Sequence, residues 1–95
     1  LVNMVSTYSY STRGKIKVPL VVRAVVGRGW GQGYQHSKSL HSLFAHIPGL
    51  KVVLPTSPRD AKGLLTSAIR DDNPVIFIEH RWLYWAVEDV PEEPY

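Results

Sequence analysis

The residues best placed to do chemistry stand at the end of a glycine-rich loop. Gly27-Arg28-Gly29-Trp30-Gly31-Gln32-Gly33 carries four glycines in seven positions and runs through Tyr34 and Gln35 into His36 and Ser37. Glycines at that density let the chain take positive φ and let a ligand or another backbone approach closely. Imidazole is the side chain suited to proton transfer, or to polarising a substrate oxygen, at physiological pH. The plainer reading of the same residues is a flexible crossover whose histidine caps its own helix, with Ser37 available as an N-cap. The glycines fit neither G-x-G-x-x-G nor G-x-x-x-x-G-K-[ST], so the dinucleotide and P-loop fingerprints are both missing.

Other constellations are weaker. His36, His41 and His46 are spaced by five residues, about 500° per step on an α-helix, so they do not share a face and zinc is not expected. There is no cysteine and no G-x-S-x-G elbow, which leaves nucleophilic catalysis little support. Asp71-Asp72-Asn73 gathers oxygens where a helix should end, and such oxygens can hold a hard cation. Spacing alone favours a plain turn with solvated carboxylates. Trp82, Tyr84 and Trp85 form an aromatic cluster suited to anchoring a partner.

The elements that must position these residues follow from periodicity. Leu1 to about Tyr10 has helical spacing and is expected to be the last turns of a helix. Val18 to Val25 is β-branched and apolar on both alternating faces, as a strand covered on both sides requires. Arg23 interrupts it and must either pair with a carboxylate or snorkel out. Leu40, Leu43, Phe44 and Ile47 predict a short helix after the glycine loop, with His36 above Leu40. Pro48-Gly49 stops it. Lys51 to Pro55 is a short strand. Ser57 as cap, Pro58 at the first helical position and Asp60 facing the macrodipole then open a helix over Pro58 to Arg70. Pro74 to Glu79 is the third strand. Strands alternating with helices at these lengths predict an α/β fold, β-α-β-α-β, with parallel pairing. The loop leaving the carboxyl end of a strand is where such sheets usually bind ligands.

Composition bounds the rest. The chain has 95 residues, is 44% apolar and carries a net charge of +3. Its basic residues form no stripe, so a nucleic-acid partner is not expected. It has no stretch near the ~20 apolar residues of a transmembrane helix and no signal peptide, so no membrane role is expected either. Absence of cysteine is compatible with a cytoplasmic location. Leu1 in place of methionine, and the ending Val90-Pro91-Glu92-Glu93-Pro94-Tyr95, suggest a piece of a longer polypeptide.

Taken in order, Val18-Pro19-Leu20-Val21-Val22-Arg23, Gln35-His36-Ser37, Phe44 to Val53, Asp60 to Leu65, Ala68 to Val75 and Glu79-His80 form a pattern across nearly the whole chain. That pattern resembles the β subunit of the thiamine-diphosphate-dependent 2-oxo acid dehydrogenases, the E1 components acting on pyruvate, branched-chain 2-oxo acids and acetoin. The resemblance implies a partial parallel sheet of a transketolase-like pyrimidine-binding domain. Residues 1–80 would be its C-terminal half, and residues 81–95 the start of a linker to a further domain. It implies that His36 lines the active-site channel, serving substrate handling and acyl transfer toward a lipoyl group. It also implies a potassium site built from backbone oxygens of Leu20, Ala68, Ile69 and Asp71 with the region of Asn73. Thiamine diphosphate and its Mg2+ would be held mainly by an E1 α subunit, so no residue of this chain is assigned to the cofactor. The partners implied are that α subunit, in an α2β2 assembly, and a lipoyl-bearing E2 acyltransferase. The glutamate that activates the aminopyrimidine in the family has no counterpart in this sequence, so the piece alone is expected to be inactive. Two alternatives stand beside this reading. One is a truncated, non-catalytic remnant serving as an assembly surface; the other is an unrelated flavodoxin-like nucleotide-binding domain, which the missing phosphate fingerprint disfavours.

Overall fold

The computed structural model describes residues 1–29 and 31–93. Its elements are α1 (Tyr8–Ser11), β1 (Val21–Val26), a 3-10 turn (Tyr34–His36), α2 (His41–Ala45), β2 (Lys51–Val53), α3 (Pro58–Arg70), β3 (Val75–His80) and a 3-10 helix (Arg81–Trp85). The three strands form one parallel sheet in the order β1-β3-β2. The α/β architecture with parallel strands is the one the periodicity predicts.

The strand order explains the layers. The connection from β1 to β2 passes over β3 in one direction, and that from β2 to β3 returns in the other. Right-handed crossovers taken in opposite directions put their helices on opposite faces. Accordingly, Phe44 of α2 packs with Val22, Val26, Val52, Ile76 and Ile78. On the other face Leu65 and Ala68 of α3 pack with Val21, Val53, Val75 and Phe77. β3 is therefore the central strand, and Val75, Ile76, Phe77 and Ile78 are its fully buried side chains.

Several sequence expectations are corrected by this arrangement. Double-sided burial was expected of β1 but belongs to β3: among the described residues β1 pairs with β3 alone, and Val25 on it is 45% exposed. The strand also starts at Val21 rather than Val18, because the Val18 amide donates to the Asp72 carbonyl at 2.9 Å and Pro19 has no amide to give. The N-terminal helix shrinks to Tyr8–Ser11. Before it, Ser6 and Thr7 hydroxyls donate back to the carbonyls of Val2 and Asn3, a local competition that weakens helices. The short helix expected from Leu40 to Ile47 is α2, His41–Ala45, and His36 stands in the separate 3-10 turn, so His36 and His41 share no helix. β2 ends at Val53 rather than Pro55.

The boundaries of α3 match the expectation. Ser57 accepts from the Asp60 amide at 3.1 Å, Pro58 opens the helix, and the Asp60 carboxylate accepts from the Thr56 hydroxyl at 2.6 Å. Gly49, ahead of β2, has φ 89°. A Cβ there would overlap the Ser6 carbonyl oxygen, and Ser6 is buried, so glycine is required both by conformation and by close approach.

Candidate functional site

The carboxyl edge of the sheet carries the first candidate region. β1 ends at Val26 and enters the glycine loop, while β3 ends beside it at His80. The chain leaving β1 goes to the α2 face, and the chain leaving β3 brings Tyr84 to Glu79 on the α3 face. Adjacent strands whose exits diverge leave a crevice between them. Gly33, with φ 73°, starts the 3-10 turn that ends in His36, and the Ser37 hydroxyl donates to the Gly33 carbonyl at 2.7 Å. Ser37 thus closes the turn instead of capping a helix; Leu40 holds the N-cap position of α2, without a side-chain bond.

His36 is exposed and lines a cavity of about 360 Å³. Its floor is Ala24, Val25, Val26 and Ile78 from the strands with Leu40 and Phe44 from the α2 side; its rim adds Gln35, Lys38 and Arg81. Every ionisable group among these lining residues is a base, so the cavity presents cationic groups over an apolar floor. That combination suits a small anion with an aliphatic or flat ring portion. His36 and Leu40 both line this cavity, but no continuous helix stacks one above the other as expected.

A second cluster, missed in the sequence, joins both strands on the α3 side. Glu79 of β3 is buried, accepts from Arg23 Nε at 2.5 Å and from the Tyr84 hydroxyl at 2.6 Å. The Arg23 bond, seconded by Tyr84, holds the carboxyl below the usual glutamate range although burial opposes it. The bond to Glu79 in turn raises the Tyr84 phenol. Of the two alternatives for Arg23, pairing is the one realised. The signal lay in the sequence as a lone arginine in one apolar strand and a lone glutamate ending another.

The third region is the carboxyl end of α3, where Leu20, Ala68, Ile69, Asp71 and Asn73 were expected to gather oxygens. The fold brings the two segments together: the Leu20 carbonyl accepts from the Val75 amide at 2.8 Å, and the Asp72 carbonyl from Val18. Ala68 O accepts from the Asp71 amide at 3.3 Å. Asn73 N is committed to Asp71 Oδ1 at 2.8 Å, so the Ile69 carbonyl lacks its i+4 amide. The Asp71 carboxylate itself is engaged by Lys51 and Asn73, which hold its pKa at about 2, Lys51 contributing most. What the site can offer a cation is backbone oxygen, not that carboxylate.

The tail beyond β3 lies against α3. The Arg59 amide donates to Glu88 at 3.2 Å, and Lys62 Nζ reaches the carbonyls of Pro91 and Glu93. Trp30 and the last two residues of the tail lie outside the described residues. No helix among the described residues is long and apolar enough to cross a membrane.

Comparison with known proteins agrees with the parallel α/β fold. The family profile described as "Transketolase, pyrimidine binding domain" matches residues 2–85. The chain is 52% identical over 93 residues to the acetoin:2,6-dichlorophenolindophenol oxidoreductase subunit beta of Cupriavidus necator, covering 98% of this chain and 28% of that protein. It is 48% identical over 97 residues to the mitochondrial 2-oxoisovalerate dehydrogenase subunit beta 2 of Arabidopsis thaliana, covering 100% of this chain and 27% of that protein. It is 49% identical over 86 residues to the pyruvate dehydrogenase E1 component subunit beta of Porphyra purpurea, covering 90% and 26%. The chain therefore spans less than a third of the curated relatives it matches.

Proposed function

The chain belongs to the transketolase pyrimidine-binding-domain family, and from that premise we propose that it is part of the E1 β subunit of a 2-oxo acid dehydrogenase. The reaction is thiamine-diphosphate-dependent oxidative decarboxylation of a 2-oxo acid, with acyl transfer to a lipoyl group. The observation that carries this reading is His36 at the rim of a base-lined cavity on the carboxyl edge of a parallel sheet.

The residues fit a cofactor bound across a subunit boundary. The apolar floor of Ala24, Val26 and Ile78 accepts a flat ring, while the rim accepts an anionic substrate beside it. Thiamine diphosphate, when bound, supplies the carbanion chemistry that decarboxylation needs. This chain's part is binding and proton handling. Lys38 and Arg81 draw a carboxylate toward the cavity, and a His36 ring nitrogen donates to, or takes a proton from, the substrate oxygen.

The diphosphate and Mg2+ are assigned to an α subunit, in an α2β2 assembly served by a lipoyl-bearing E2 acyltransferase. Potassium is assigned to the backbone oxygens of Leu20, Ala68, Ile69 and Asp71 near Asn73; the Ile69 carbonyl, lacking its i+4 amide, supports that assignment. Residues 1–80 are taken as domain and 81–95 as the start of its connection onward. The proposed compartment is the cytoplasm.

The test is co-expression of the full polypeptide carrying this sequence with its α-type partner. Decarboxylation of a 2-oxo acid in the presence of thiamine diphosphate and an artificial electron acceptor supports the proposal. An assembled but inactive complex supports the non-catalytic assembly role instead.

A further inference from the structure

The segment leaving β3 grips the glycine loop at three points. The ring of His80 lies against Gly27: a Cβ on Gly27, which has φ 117°, would come within 3.1 Å of His80 Cε1. The Trp82 ring covers Gly29, whose Cβ would sit 3.5 Å from it. Trp82 Nε1 donates to the Arg28 carbonyl at 2.9 Å. The grip is itself braced, because His80 Nδ1 accepts from the Trp82 amide at 3.3 Å and so fixes the two side chains relative to each other.

We propose that His80 and Trp82 are positioning residues, which hold the start of the glycine loop and through it place His36 at the cavity. Four glycines give the loop wide conformational freedom, and among the described residues its far end is closed by the Ser37–Gly33 hydrogen bond. Without an anchor at its near end, the population with His36 at the rim would fall, and turnover with it. His80 ends β3, the most buried strand, and Trp82 follows it in the 3-10 helix, so the loop is tied to the end of the core strand. This role rests on the proposed part of His36 in the reaction; the grip itself does not.

Two substitutions isolate the grip in the full assembly. Trp82→Phe keeps a ring over Gly29 and removes the donor to Arg28. His80→Asn keeps an acceptor for the Trp82 amide and removes the ring from Gly27, whereas His80→Phe keeps a ring and removes the acceptor. Hydrogen exchange is followed over residues 27–36, beside kcat, KM and the thermal midpoint. One lost hydrogen bond of this kind corresponds to about 3- to 10-fold, so Trp82→Phe should speed loop exchange and lower kcat by that factor, and His80→Asn, which loses the ring contact with Gly27 instead, should shift both in the same direction. KM and the thermal midpoint should stay near wild type, and His80→Phe should retain more loop protection than His80→Asn. Wild-type exchange in both Trp82→Phe and His80→Asn overturns the proposal, whatever happens to kcat. Faster exchange with unchanged kcat leaves the grip but overturns its role in placing His36, and His36→Ala in the same assay then tells whether His36 takes part at all.

Discussion

Arg23 and Glu79 are joined across β1 and β3 by a bond of 2.5 Å, yet their surroundings differ sharply: the arginine side chain is 60% exposed and the glutamate 9%. Removing the arginine strands a buried carboxylate with only Tyr84 as its partner. Removing the carboxylate merely returns an arginine to water. A stranded buried polar group costs about 1–3 kcal/mol, so Arg23→Met should destabilise the full-length protein by that amount. Glu79→Gln, which keeps an acceptor for Tyr84, should cost clearly less. Urea unfolding of the two variants measures the asymmetry, and equal losses would show that the buried carboxylate is not the controlling partner.

His36→Ala in the full assembly should lower turnover by at least about 100-fold, the lower end for a general acid or base. Cofactor affinity should stay nearly unchanged, since the diphosphate is assigned to the partner subunit. His41 opens α2 and is not among the residues lining the cavity, so His41→Ala should behave like wild type. Steady-state assays beside cofactor titrations decide. Full turnover in His36→Ala, or equal losses in both variants, removes His36 from the channel.

Asp71 gives a pH signature. Its folded pKa of about 2 lies below the ordinary 3.8, chiefly through its bond with Lys51. A depressed carboxyl adds stability above its unfolded pKa and loses it as pH falls through the folded value. The stability gap between wild type and Asp71→Asn should therefore be constant above about pH 5 and narrow from about pH 4 toward 2. A gap that does not change over that window would mean that Asp71 titrates normally in the folded protein.

Potassium should raise the melting temperature of the full protein more than sodium at equal ionic strength. A ligand that binds only the native state stabilises it by mass action, and carbonyl-rich sites select cations partly by size. Identical melting curves in the two chlorides would count against a site at Leu20 and the end of α3.

What was legible in the sequence was local. The bounds of α3 could be read because Ser57, Pro58 and Asp60 act within one turn, and Gly49 because Pro48-Gly49 is a local stop. The region of His36 could be read from the glycine run. What failed depends on distant residues. The apolar pattern of Val18 to Val25 is common to central and edge strands, and only the pairing order says that β3 takes the centre. The break between His36 and α2 arises from Ser37 turning back to Gly33. The partnership of Glu79 with Arg23 and Tyr84, and the grip of Trp82 on Arg28, span the sheet and leave only single unpaired-looking residues in the sequence.

The order β1-β3-β2 also dictates a sequence of events in time. Among the three described strands the central one is synthesised last, and Arg23 waits 56 residues for Glu79. Until β3 emerges, β1 and β2 lack the strand that lies between them, and Val21, Val22 and Val26 lack their contacts with it. Parallel, non-local pairing of this kind forms slowly and leaves apolar edges exposed meanwhile. Nascent chains halted before Val75 should therefore aggregate more readily than chains that include β3.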